Sequence, residues 1–226
     1  LFNREEQPFL TWMFNSYKVA ITNSLLVVIV TALAGYAFSR MRFRGRRVGL
    51  IALILIQMFP QMLMMVAIYL VVFWLGQYIP FFGLDTHAGL ILVYMGGAMG
   101  VNVWMTKNYF DTIPRSLEES AMLDGATPLQ MLIYIIIPLA IPILVVIFFL
   151  QFIAIYSDFV LARVILTGEN KLTMAVGLQG FIADQYGKRW GVFSAASIIS
   201  TIPVMVLFWL LQKQLVTGLT SGAVKN

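Results

Sequence analysis

The sequence predicts an all-α fold, a polytopic transmembrane helical bundle. Three observations carry that prediction. Of the 226 residues, 60% are hydrophobic and only 11% are charged, with a mean hydropathy of +0.87, far above an ordinary globular domain. Five stretches, 19–39, 48–84, 86–106, 125–157 and 191–212, contain no Asp, Glu, Lys or Arg and together make up more than half of the chain. A charge-free apolar run of about eighteen residues already crosses the roughly 30 Å hydrocarbon core as a helix. The runs are continuous, whereas the strands of a membrane barrel are short and alternating. A soluble domain is excluded, and the absence of Cys excludes a disulfide-stapled secreted one.

Taken in order, the spans are predicted at 18–39, 48–76, 88–106, 128–156 and 191–212, within a single transmembrane domain covering 1–226. Trp12, Phe14 and Tyr17 precede the first span at the depth of an interfacial aromatic belt. The second run is too long for one crossing. Gly76, Pro80 and Gly83 punctuate its end, so one helix followed by a non-helical exit is predicted there. Pro138 and Pro142 predict a kink in the fourth span. Gly96 and Gly100 form a small-x-x-x-small pair, the pattern of a helix-packing face.

Orientation follows from the first connection, Arg40-Met-Arg-Phe-Arg-Gly-Arg-Arg47, which holds five Arg and no acid and belongs in the cytoplasm. Alternation then puts 1–17, the loop near Asp85 and 158–190 outside, and 107–127 and the C-terminal tail inside. Five spans with the N-terminus outside is an odd arrangement that one further helix before Leu1 would regularise.

The most informative cytoplasmic segment runs from Ser116 to Pro128. Ser116 followed by Glu119 has the spacing of a capping box, which starts a helix, and Gly125 stops it. Thr127 then caps the next helix, with Pro128 at its first position and Gln130 at its third. The product is a short helix, about 116–124, lying in the loop and joined by a sharp turn to the fourth span. Leu117, Ala121 and Asp124 share one of its faces. On these grounds alone it is either a solvated connector or a docking element.

Gln57 and Gln61 lie four apart on one helical face with Pro60 between them, which suits a hinge or pathway lining and equally suits a hydrogen bond between packed helices. Asp158 stands at the outer edge of a span, facing a transport path or serving as a helix-end residue. His87 is read as structural. The outer stretch 163–190 carries Phe181, Tyr186 and Trp190, rings that suit sugar stacking and protein docking alike.

The spacing in the cytoplasmic loop resembles a known family. Glu119-Ser-Ala121, three residues, Gly125, nine residues and Ile135-Ile-Ile-Pro138 are similar to the EAA motif of ABC importer permeases, Glu-Ala-Ala, three residues, Gly, nine residues, Ile-x-Leu-Pro. Ser120 and Ile137 depart from it mildly. Further segments, among them Tyr36–Phe43, Gln57–Pro60, Tyr78–His87, Leu123–Pro128 and Gly218–Lys225, resemble the smaller permease subunits of maltose/maltodextrin importers, which have six helices where this chain shows five. The resemblance implies a type I ABC importer permease-like fold in the bacterial inner membrane. It implies as partners a second permease subunit, two ATP-binding subunits and a periplasmic or extracellular sugar-binding protein, besides membrane lipid. It also implies that Leu117, Glu118, Glu119, Ser120, Ala121, Asp124 and Gly125 form a coupling helix seated in an ATPase cleft. The tail residues Ser221, Gly222 and Lys225 would touch the ATPase pair, and the 163–190 loop the sugar-binding protein.

Other functions fare worse. No G-x-x-x-x-G-K-[ST] loop is present, so this chain does not bind and hydrolyse ATP by that route; the resemblance implies a transport subunit rather than an enzyme, with ATP hydrolysis in a separate subunit. No cofactor or metal is expected of a chain without Cys and with one His, and nucleic acid is a poorer reading of the +5 charge than a membrane surface. Secondary carriers usually need ionisable groups within the membrane, and the five runs have no Asp, Glu, Lys or Arg. Glycerol phosphate or another sugar is the alternative cargo.

Overall fold

Helix dominates every charge-poor run in the computed structural model, which describes residues 8–60, 62–183 and 189–221, with side chains as far as Gly218. Helix α1, Phe9–Arg40, begins well before the predicted start at 18. The polar residues of 9–17 argue against that extension in the sequence, yet Trp12, Asn15 and Ser16 find backbone partners in the fold. Trp12 Nε1 donates to the Glu169 carbonyl at 2.8 Å, and Asn15 Nδ2 donates to the carbonyls of Asn170 and Leu172 at 2.9 and 3.0 Å. Ser16 Oγ accepts the Met174 amide at 2.7 Å. Buried polar groups satisfied in this way no longer oppose burial.

The predicted helix over 48–76 is corrected to two, α2, Arg46–Gln57, and α3, Met65–Tyr78. Pro60 lacks an amide hydrogen and disfavours helical torsions at Phe59, so the chain leaves the helix there. Neither piece alone reaches eighteen residues. Among the described residues four helices, rather than the five spans anticipated, are long and apolar enough to cross a membrane: α1; α4, His87–Thr112; α6, Pro128–Ser157; and α9, Trp190–Ser221. Between α4 and α6 lies the short α5, Ser116–Leu123. The stretch 158–190, which the sequence marks only as an outer loop, contains α7, Val160–Ile165, and α8, Met174–Gln179. Helix is the only extended regular structure among the described residues.

The chain divides into two compact units, 1–24 with 60–97 and 150–210, and 25–59 with 98–149 and 211–226. The first unit is built round Val19, Leu90, Phe152, Tyr156 and Ile165, with a satellite of Phe9, Trp12, Met174, Phe181 and Ala196. Tyr94 donates to Asp158 Oδ2 at 2.7 Å, and the same oxygen accepts the Ala162 amide at 3.1 Å. Asp158 is thus a helix-end residue at the start of α7, one of the two roles the sequence leaves open. His87 Nε2 lies 2.9 Å from the Lys171 carbonyl. In the second unit Val27, Phe110, Met131, Ile136 and Ile147 are fully buried. The kink-prone region of α6 takes a π-helical turn at Leu132–Ile136 just ahead of Pro138, with Pro142 further along inside the helix. A proline that cannot donate its amide permits such a local change of winding.

Candidate functional site

The site is the segment 113–131 and the end of α1, all within the second unit. Helix α5 does not start on a capping box. Its N-cap is Arg115, already in helical torsions, and no side chain caps it. The Arg115 carbonyl accepts from the amides of Glu118 and Glu119 at 3.0 and 2.9 Å, so Ser116 is inside the first turn and its hydroxyl accepts nothing from the Glu119 amide. Pro114, whose fixed φ suits a first turn, moves the start back by one residue.

The C-terminal end is as the sequence indicates. Gly125 has φ +83°, its amide bonds the Met122 carbonyl at 3.0 Å, and the Ala126 amide bonds the Ala121 carbonyl at 2.9 Å. That pair of bonds is a Schellman closure, and its positive φ is one that a residue without Cβ adopts at little cost. Thr127 follows in extended conformation and opens α6 with a complete capping box: its side chain takes the Gln130 amide, while Gln130 Oε1 takes the Thr127 amide at 2.8 Å, with Pro128 in the first turn. Two stop-start signals in five residues set the angle between α5 and α6.

Exposure sorts the residues of α5. Leu117, Met122 and Leu123 are 44%, 58% and 91% exposed, and Glu119, Ser120, Asp124 and Gly125 are exposed while Ala121 is half-buried. Glu118 is the exception. It turns inward, where Arg40 Nε donates to its Oε1 and Tyr36 donates to its Oε2 at 3.3 Å. Both members of the ion pair have side chains only 8% exposed. Glu118 therefore holds the helix in place and is not presented for docking. On either side of α5 the surface is hollow: a cavity of about 290 Å³ is lined by Tyr36, Arg40, Arg115, Glu119, Met122 and Met131, and one of about 370 Å³ by Ala121, Asp124, Gly125, Gln130 and Tyr134.

The other sequence candidates fall elsewhere. Gln57 Oε1 accepts the Val101 amide at 2.8 Å, so the residue makes the interhelical bond that is one of its two readings. Pro60 lies in the break between α2 and α3, and Gln61 lies outside the described residues. Ser221 is the last residue of α9, with its side chain outside the described set, as are Gly222 and Lys225 altogether. The residues that sequence reasoning missed are Tyr36 and Arg40. In the sequence Arg40 is simply the first member of a basic cluster; its position at the end of an apolar helix, opposite a loop with paired acids, is the available signal.

Residues 27–221 match the family model described as the binding-protein-dependent transport system inner membrane component. This chain belongs to that family. It is 47% identical over 219 residues to the maltose/maltodextrin transport system permease protein MalG of Vibrio vulnificus, covering 97% of this chain and 73% of that one. The MalG protein of Escherichia coli K12 is 45% identical with the same coverage. Among solved structures, a bacterial ABC transporter involved in the import of the acidic polysaccharide alginate aligns with a TM-score of 0.78 at 29% identity, covering 91% of this chain and 74% of its own. The inward-facing MetNI methionine ABC transporter aligns with a TM-score of 0.69 at 15% identity, covering 93% and 95%, a likeness of fold alone. The type I importer permease fold and multi-pass membrane character expected from the sequence thus hold, and the function is that of an ABC transporter permease.

Proposed function

We propose that this permease is the subunit of an inner-membrane ATP-binding-cassette importer through which maltose/maltodextrin-type oligosaccharides pass. It pairs with a second permease subunit, two ATP-binding subunits and an external sugar-binding protein. The observation that carries this reading is identity of 45–47% along 97% of the chain to permeases named for maltose and maltodextrin. The Arg40–Arg47 loop, α5 and the C-terminal tail face the cytoplasm, because moving five guanidinium groups across a bilayer is strongly disfavoured.

In this reading α5 is the coupling helix. Leu117, Met122 and Leu123 are exposed apolar groups of the kind that become buried on docking, and Glu119 and Asp124 at their border are available to cationic groups of the ATPase. Ser221, Gly222 and Lys225 extend the contact through the tail. ATP-driven closure of the ATPase pair moves α5, and the capped turn at Gly125–Thr127 passes that movement into α6. The decisive experiment is reconstitution of the full-length subunit with its three kinds of partner in vesicles, followed by uptake of labelled maltodextrins with alginate oligosaccharides and glycerol phosphate as competitors. ATP-dependent maltodextrin uptake supports the reading; uptake blocked only by one of the competitors reassigns the cargo.

A further inference from the structure

We infer that Arg40 is a positioning residue for coupling, a side chain through which displacement of α5 reaches the end of α1 and the exit of α4; the inference rests on α5 being the ATPase-docking helix. The Arg40 guanidinium uses all three of its nitrogens. Nε donates to Glu118 Oε1 on α5, Nη2 donates to the Ile113 carbonyl in the α4–α5 connection at 2.9 Å, and Nη1 donates to Ser39 Oγ at 3.1 Å. Ser39 in turn donates to Asp111 Oδ1 on α4 at 2.6 Å, and Tyr36, one turn back on α1, holds the second oxygen of Glu118. Three separate segments of the chain therefore meet on one planar cation.

The arrangement differs from an ordinary surface pair in two ways. Its ionised groups are buried, with side chains 8% exposed, so the bonds are little screened and their loss leaves an uncompensated charge. It also lies on the inward face of α5, opposite the exposed Leu117 and Leu123, so a partner that grips the outer face pulls directly against it. The covalent routes out of α5 are the Gly125 turn and the Ile113–Arg115 connection. The Gly125 turn leads from α5 into α6, whereas a fork-shaped guanidinium holding three acceptors ties α5 to α1 and resists rotation as well as separation. Arg40 thus makes α5 and the end of α1 move together, a link that the Gly125 turn does not make.

Lysine cannot take this place. An ammonium is a compact point donor and does not reproduce three directed bonds in one plane, so retention of charge and retention of coupling separate in Arg40→Lys. The test uses the full-length subunit reconstituted with its partner subunits and sugar-binding protein. Arg40→Lys, Arg40→Gln and the exchange Arg40→Glu with Glu118→Arg are compared for assembly, for the ATP concentration giving half-maximal hydrolysis, and for sugar moved per ATP hydrolysed. Expected is a normally assembled complex with unchanged ATP dependence, in which sugar per ATP falls roughly fivefold for Gln and for Lys, within the range of coupling losses at intervening residues. The exchange restores part of it. Leu123→Asp serves as the control on the docking reading, because it disturbs the outer face of α5 and should reduce capture of the ATPase. If Leu123→Asp releases the ATPase but Arg40→Gln and Arg40→Lys keep the wild-type ratio, the Arg40 inference is overturned and the docking reading stands. If Leu123→Asp leaves ATPase capture unchanged, the docking reading itself fails.

Discussion

Gln57 and Val101 are joined across two helices: the last residue of α2 accepts the backbone amide of α4 at 2.8 Å through its side-chain oxygen. One residue away, Gly100 brings the two backbones so close that a Cβ there would overlap the Leu53 carbonyl and stand 2.9 Å from the Gln57 side chain. A polar bond and a glycine contact thus occupy the same crossing. In an apolar solvent, where the hydrophobic effect does little to bring helices together, close backbone approach and interhelical hydrogen bonds are the available attractions.

Gly100→Leu should therefore destabilise the solubilised protein by about 1–3 kcal/mol, the usual cost of forcing methylenes into a filled contact. Gly96, the other half of the small-residue pair, faces open space within the chain, and Gly96→Ala should not lower the melting temperature. Thermal unfolding of both variants in the same detergent checks the contrast. Equal losses from the two substitutions would mean that the crossing is not where the structure puts it.

Capping gives a second contrast. Thr127→Val removes the hydroxyl that takes the Gln130 amide at the start of α6, a loss typically about 1 kcal/mol. Ser116→Ala removes a hydroxyl from the spacing that resembles a capping box but caps nothing in the structure, and should change stability little. Melting temperatures of the two single variants decide it.

Much of the fold is legible in the sequence because a membrane helix needs only length and freedom from charge, and both are local. Gly125 and Thr127 are legible for the same reason, since a turn and a cap are decided within four residues. What escapes depends on distant partners. The approach to the first span is too polar for a buried helix until Asn15 and Trp12 meet carbonyls at 169–172. Glu118 is one more exposed acid of a docking face until Arg40, far off in sequence, turns it inward. The Ser116 box fails for a nearer reason, the competing helix start at Pro114 and Arg115. The break after Gln57 comes from Pro60, whose place between two glutamines suits a hinge within a helix as well as a helix end.

The loop at Asp85 supplies a prediction in pH. Asp85, at φ +56°, takes the amides of Gly168 and Thr167 at 2.8 and 3.0 Å on Oδ1 and the Lys171 ammonium at 3.0 Å on Oδ2. Partial burial alone would raise its pKa, but the Gly168 amide, the Lys171 side chain and the Thr167 amide outweigh that and hold it below the ordinary value of 3.8. A carboxylate depressed on folding stabilises the folded state above its unfolded pKa, and this contribution disappears as pH falls through the lower, folded one. Asp85→Asn, which tolerates the left-handed torsion, should thus be less stable than wild type at neutral pH, with the gap closing only below about pH 4. Melting curves from pH 7 to pH 3 test this; a gap of constant size would remove the carboxylate from the explanation.

The last prediction concerns the turn between α5 and α6. At φ +83° Gly125 occupies a region that costs an ordinary L-residue about 1–2 kcal/mol, and a β-branched side chain more. Its surroundings are open, with nothing within 4 Å of where a Cβ would stand, so any effect of substitution comes from torsion and not from collision. Gly125→Val escapes the strain only by rotating out of the left-handed region, which breaks the Schellman bonds to Met122 and Ala121 and changes the angle at which α5 leaves α6. Gly125→Asn tolerates the torsion and keeps the angle. Both substitutions lie on an exposed turn away from the buried cores, so both proteins should reach the membrane and capture their partners. In reconstituted vesicles Gly125→Val should lose most of the ATPase stimulation caused by sugar-loaded binding protein, while Gly125→Asn keeps most of it. Lengthening the exposed turn by one glycine after Gly125 should mimic Val, since it frees the angle without any strain. Wild-type stimulation in both the Val and the inserted variant would show that force does not pass from α5 to α6 through this turn.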